Sequence, residues 1–319
     1  MKLFLTGAAG YIGRVVTARL LKYNDWVTAL LEPHEDPGWV QGAEVVRADI
    51  TRPESLEGIM KHHDTVVHTA QEAGWQKVDR CAAVNREGTR HVVREAVKSG
   101  IRRFVHLSSV AVYGHVSRIP IDEDFPLKRT GDPYGDTKLE AELILREFEC
   151  RDEIDLTVIR PTVVYGPGDD TFLPGLIASI REGVFCHIGS GEHEANLIHV
   201  DDLGRFIWSV IHEPGTIGKT FNVTHPHNPS WIETVERVAG ELGVPRPKKH
   251  LPYALALSMA TGLEYLCRFS GRPPRLTRRT VRMMGRPHEY RTDRMERDMS
   301  FCPDISFADG IREMLREEL

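Results

Sequence analysis

Cysteine is scarce in this chain and nowhere clustered. Cys81, Cys150, Cys186, Cys267 and Cys302 are odd in number, widely spaced and form no Cys-x-x-Cys pair. That argues against a disulfide scaffold and suits a reducing cytoplasm. Long apolar runs are also missing. The longest, Tyr253 to Leu266, contains Glu264 and is too short to cross a bilayer, so it reads as a helix that packs on its neighbours or lies against a membrane surface. Strand-like residues start at position 2, which leaves no room for a signal peptide ahead of them. A formal net charge of -5 argues against general nucleic-acid binding. The closest histidine pairings, His62/His63, His187/His193 and His225/His227, lack metal-ligand spacing and read as surface or loop residues, so no metal is expected. Internal repeats and low-complexity tracts are absent.

What is present is a regular alternation. Lys2–Thr6, Asp25–Leu31, Glu44–Ala48, Thr65–Thr69, Arg103–Leu107 and Leu156–Ile159 read as strands. Helical patterns at 11–23, 53–61 and 77–99 fill gaps between them, with Thr51 and Glu54 resembling a capping box. Strands that alternate with helices predict an α/β fold with a doubly wound parallel sheet, whose ligand crevice lies at the strands' carboxyl ends. After Gly168 the rhythm loosens. The expected organisation is a nucleotide-binding domain over 1–170, to which 196–223 returns through a strand at Lys219–Val223, and a smaller substrate lobe over 171–319. A helix there is opened by Ser230 with Glu233 three residues on. The stretch from Arg268 to Arg297 carries ten arginines against Glu289, Asp293 and Glu296, read as a solvated surface or as attraction to an anionic substrate or membrane.

Three local patterns carry chemistry. In MKLFLTGAAGYIG a strand turns through glycines directly into a helix. Gly7 permits the tight turn, Gly10 keeps side chains away from a ligand, and Gly13 lets helix and strand pack closely, so that a diphosphate can sit on free N–H groups. In Asp132-Pro133-Tyr134-Gly135-Asp136-Thr137-Lys138, Asp132 and Pro133 open a helix on which Tyr134 and Lys138 share one face. An ammonium near a phenol favours the phenolate and makes it a usable acid or base, although such a spacing taken alone also describes a surface pair. Ser108 and Ser109, at the end of the fifth strand, offer a hydroxyl for the same substrate oxygen or for the turn backbone.

Taken in order, TGAAGYIG at 6–13, SSVAVYG at 108–114, YGDTK at 134–138 and RPTVVYGPG at 160–168 resemble the extended short-chain dehydrogenases/reductases, within the NAD-dependent epimerase/dehydratase superfamily. The resemblance implies that Tyr134 is the general acid/base, that Lys138 lowers its pKa and holds the nicotinamide ribose, and that Ser109 orients the substrate oxygen. It places Gly7, Gly10, Tyr11, Ile12 and Gly13 at the pyrophosphate, Asp49 and Ile50 at the adenine, and Thr69, Ala70 and Gln71 beneath the adenine ribose. Pro161 falls by the nicotinamide, and Ser108 is a further cofactor-binding candidate. Asn85, in VNREGTR, fits either a cofactor contact or a structural hydrogen bond within its helix.

Glu32 follows the second strand and is the candidate acid for a ribose 2′-hydroxyl, which points to NAD. NADP stays open, with Arg14 and Arg47 as phosphate ligands. Val163 stands where nucleotide-sugar epimerases and dehydratases carry asparagine, and ANLIHVDDL at 195–203 lacks their arginine. That segment and PPRLTRRTVRMMGR at 273–286 are similar to the 3β-hydroxysteroid dehydrogenase-like branch instead. The resemblance therefore implies hydride transfer to or from a bulky apolar, sterol-like or 3-oxo-acyl substrate, and a homodimer. A nucleotide-sugar epimerase and a non-catalytic dinucleotide sensor are the alternatives.

Overall fold

The computed structural model describes residues 1–73, 78–114, 120–270 and 274–317. Seven strands form its main sheet: β1 (Lys2–Thr6), β2 (Trp26–Leu31), β3 (Glu44–Arg47), β4 (Thr65–His68), β5 (Arg103–Leu107), β6 (Asp155–Pro161) and, after three short strands, β10 (Thr220–Val223). Their spatial order is β10-β6-β5-β4-β1-β2-β3 and every pairing is parallel. The central strands are buried along most of their length, as continuous apolar runs such as Leu3–Leu5 require when helices cover both faces. The order reverses between β1 and β4, which puts the crevice beside the glycine turn.

The helices are α1 (Tyr11–Lys22), α2 (Val78–Cys81), α3 (Thr89–Lys98), α4 (Pro133–Cys150), α5 (Leu173–Arg181), α6 (Val200–His212), α7 (Trp231–Glu241), α8 (Tyr253–Ser270), α9 (Arg278–Gly285), α10 (Asp293–Met299) and α11 (Phe307–Glu317). On one face of the sheet, Val16 and Leu20 of α1 pack with Leu203, Phe206 and Ile207 of α6. On the other, Val92, Val93 and Ala96 of α3 pack with Ile144, Leu145 and Phe148 of α4. The remaining strands, β7 (Val163–Tyr165), β8 (His187–Ile188), β9 (Leu197–His199) and β11 (His250–Leu251), pair as β7 with β9 and β8 with β11. They border a second core in which Leu173, Ile177, Trp231, Val235, Val281 and Ile311 meet. Ser230 and Glu233 close the anticipated capping box on α7.

Three local expectations are corrected. The pattern at 53–61 is a single 3₁₀ turn, Pro53–Leu56, because the Asp49 carboxylate takes both the N–H and the hydroxyl of Thr51, and Gly58 leaves the helical region at φ +76°. The 77–99 helix runs from Val78 to Lys98 but carries a π-helical stretch at Ala82–Gly88; residue 77 lies outside the described residues. His187 is no surface residue, since its ring is buried in β8 and stacks on His250. Along α8, Ala256, Ala260 and Glu264 face inward while Leu255, Met259 and Leu266 stand exposed. Among the described residues no helix is long and apolar enough to cross a membrane.

Candidate active site

The glycine turn has the shape a dinucleotide needs. Gly7 adopts φ +71°, where a side chain is strained, and a Cβ there would stand 2.5 Å from the Ala70 nitrogen. At Gly13 a Cβ would fall 2.0 Å from the Gly7 carbonyl oxygen, so α1 crosses β1's end in direct backbone contact. Gly10 differs: it is exposed, and only the Gly7 carbonyl lies near its missing Cβ, at 3.3 Å. No side chain caps α1, so the first amides of the helix, at Tyr11, Ile12 and Gly13, are left for an anion. The Tyr11 side chain turns away into protein. Its hydroxyl is buried without a partner among the described residues, and burial with the nearby Asp169 and Asp201 charges pushes its pKa up.

Across the crevice, α4 opens with Asp132 accepting from the Gly135 N–H, and this places Tyr134 in the first turn at the mouth of the sheet. Its phenol donates to Gln71 Oε1 at 3.2 Å. Burial raises the phenol's pKa; the Arg279 guanidinium and the Ser109 hydroxyl pull it back. Arg279 of α9 lies over the Tyr134 ring, 4.3 Å from its centroid. Lys138, to which the sequence reading gave that electrostatic part, stands one turn further along the same helix. Lys138 is fully buried, donates to the Leu107 carbonyl at 2.5 Å, and is pulled down to about 7 by burial, against the pull of Glu142. Ser109 Oγ accepts from Ala111 N at 3.2 Å, and its hydroxyl stands beside the phenol.

Ser108 faces the other way. Its hydroxyl donates to Glu142, which is buried and salt-bridged to Arg160 at 2.6 Å. Arg160 also donates to the Tyr113 hydroxyl and the Glu123 carbonyl, and Tyr113 donates to Asn222. The Ser108 side chain is therefore part of the scaffold behind the site. Glu142 escaped the sequence reading although its spacing, four residues beyond Lys138, signals a shared helix face. No comparable pattern marks Arg279, which sits far off in sequence.

The remaining candidates divide between backbone and side chain. The Asn85 amide accepts from Glu72 N and donates to Glu72 O, each at 2.8 Å, and to Thr137 Oγ1 at 3.0 Å, clamping the segment after β4 onto α4. Thr69 Oγ1 donates to the Thr6 carbonyl at 2.7 Å and Ala70 N–H reaches the Thr6 hydroxyl, which holds that segment against the glycine turn. The Ile50 side chain is in the core, Pro161 ends β6, and Asp49 is occupied by Thr51. Glu32 stands at the end of β2, salt-bridged at 3.0 Å to Arg80, an arginine absent from the sequence reading. Arg47 is bound to the carbonyls of Glu32, Pro33 and Glu35, and Arg14 lies over Trp39 and donates to the Gly168 carbonyl.

A parallel sheet that reverses at a glycine turn, with a buried phenol, a serine and a lysine across the crevice, defines an α/β nucleotide-binding enzyme of the extended short-chain dehydrogenase/reductase type. The chain belongs to the NAD dependent epimerase/dehydratase family, whose model matches residues 3–224. It is 27% identical to a 2-alkyl-3-oxoalkanoate reductase of Stenotrophomonas maltophilia (strain K279a) over 332 residues, covering 98% of each chain. To a 3beta-hydroxysteroid-dehydrogenase/decarboxylase isoform 1 of Arabidopsis thaliana it is 23% identical, over 97% of this chain and 77% of that one. The fold matches a UDP-glucuronic acid 4-epimerase from Bacillus cereus, solved in complex with NAD, with a TM-score of 0.78 at 21% identity, covering 99% and 98% of the two chains.

Proposed function

We propose that this enzyme transfers a hydride between the nicotinamide of NAD and the carbon of a secondary alcohol or ketone on a largely apolar substrate. The observation that carries the reading is the Tyr134 phenol, buried beside Ser109 across the crevice from the open amides of α1. Bound NAD supplies the hydride acceptor, or in its reduced form the donor. The exposed edge at Gly10 fits its pyrophosphate, and Glu32 with Arg80 stands where the adenine ribose would lie. In the reductive direction Tyr134 Oη gives its proton to the carbonyl oxygen while Ser109 Oγ donates to that oxygen and orients it. Lys138 and Arg279 hold positive charge near the phenolate left behind. Gln71, which accepts from the phenol here, yields that hydrogen bond to substrate.

A nucleotide sugar is the weaker reading, because Val163 packs against the second core and presents no amide to a sugar. Tyr134 and Lys138 are both in place, which disfavours a pure sensor. The test is turnover of 3-hydroxysterols and long-chain 3-hydroxyacyl compounds with NAD. Tyr134→Phe should lower kcat by about 10²-fold or more while NADH still binds. Epimerisation of a UDP-sugar, with the apolar panel untouched, would overturn the proposal. We also propose a homodimer through α3 and α4, where Leu143 is half-exposed; light scattering that finds only monomer rejects it.

A further inference from the structure

Among the described residues, five arginines of the basic stretch that opens with Arg268 pair with carboxylates. Arg275 pairs with Glu182, Arg278 with Glu264, Arg291 with Asp293, Arg294 with Glu123 and Asp124, and Arg297 with Asp298. Arg279, Arg282 and Arg286 have no such carboxylate among the described residues, and of these Arg279 is the one set over Tyr134. Among the described residues Arg279 has no carboxylate and no hydrogen-bond acceptor, its side chain is exposed, and its guanidinium carbon lies over the Tyr134 ring, 4.3 Å from the centroid. Its N–H donors have no partner among the described residues, and five donors in a planar fork match a carboxylate. The pairing of Arg278 with Glu264, with one bond from its backbone N–H and one from its side chain, pins the start of α9 and so fixes where the neighbouring Arg279 stands.

We infer that Arg279 binds an acid group on the substrate, and that the enzyme acts on 3-oxo or 3-hydroxy carboxylates carrying a long apolar chain. This rests on the proposed hydride transfer at Tyr134. The geometry limits the ligand: the guanidinium is separated from the phenol oxygen by no more than the aromatic ring. An acid held by one and a carbonyl oxygen held by the other therefore belong to the same few-carbon segment. A carboxylate one carbon removed from the carbonyl meets that requirement, whereas an acid at the far end of the chain does not. In the reductive direction the carbonyl carbon gains the hydride from reduced nicotinamide, the carbonyl oxygen gains the Tyr134 proton, and the carboxylate stays ionised throughout. The pair also gives Arg279 a reason to be exposed before substrate arrives, since a buried guanidinium without a partner carries a heavy desolvation cost.

The experiment measures oxidation of 3-hydroxydodecanoate, its methyl ester and 2-undecanol by the full-length protein with NAD, in the wild type, Arg279→Gln and Arg279→Lys. The wild type should favour the acid over the ester in kcat/KM by about 10- to 100-fold, the size of a charge-assisted pair. In Arg279→Gln that ratio should collapse toward one, chiefly through KM for the acid, and Arg279→Lys should restore part of it. If Arg279 acts only by easing ionisation of Tyr134, acid and ester fall together and the pH profile moves, which overturns the inference. Equal wild-type rates on acid and ester overturn it too, while leaving hydride transfer intact. Absence of turnover on all three, with a UDP-sugar epimerised, instead removes the reading on which it rests.

Discussion

Replacing Glu142 with leucine should be among the most damaging single changes to this fold. Glu142 and Arg160 are both buried, 1% and 4% exposed, and joined at 2.6 Å. Removing the carboxylate strands a guanidinium in low dielectric and takes the acceptor from Ser108. Breaking a buried pair from one side costs about 3–5 kcal/mol. Unfolding entropy for 319 residues is about 0.7 kcal/mol/K, so Tm should fall by roughly 4–8 °C. Urea unfolding is the better assay, because guanidinium chloride screens charge. The double variant Glu142→Leu/Arg160→Met removes both charges and should recover most of the loss, since a buried ion pair as a whole adds little net stability. A single variant within about 1 kcal/mol of wild type, or a double variant no better than the single one, would refute the reasoning.

Two other outcomes follow from the same geometry. His68 is buried between Thr6 and Thr89, and burial with the Lys138 charge lowers its pKa from 6.5 to about 3. The folded protein holds it neutral, so the unfolded chain binds the extra proton between those values; stability should fall by about 1.4 kcal/mol per pH unit below 6.5 on its account. A His68→Gln variant should flatten that slope in urea titrations between pH 4 and 6.5, and an unchanged slope removes His68 as the cause. For cofactor choice, fluorescence titration should show tighter binding of NADH than of NADPH, and Glu32→Ala should narrow the gap by removing the acid that repels a 2′-phosphate and one of Arg80's two carboxylate partners, Glu72 being the other. A wild-type preference for NADPH contradicts the role given to Glu32.

Local chemistry made much of this protein legible from its sequence alone. The apolar run Lys2–Thr6 followed by Gly7, Gly10 and Gly13 determines a strand, a turn and a tightly packed helix, because the positive φ at Gly7 and the backbone contact at Gly13 admit no other residue without strain. Asp132 and Pro133 specify the start of α4, and its period then puts Tyr134, Lys138 and Glu142 on one face. Strand and helix alternation likewise determined the parallel sheet, since only crossover connections join parallel neighbours.

Tertiary packing decided the rest, wherever partners come from distant segments. Nothing local to Asn85 says that its amide will be consumed by Glu72 and Thr137, or that Ser108 will turn away from the site to Glu142 while Ser109 faces the phenol. Where the two cations near Tyr134 stand was decided the same way. Lys138 shares its helix face, but burial draws its ammonium to the Leu107 carbonyl, whereas Arg279 reaches the ring from a helix more than a hundred residues further along the chain. Electrostatic influence depends on distance and desolvation through space, and those quantities exist only once α9 has come to lie beside the start of α4.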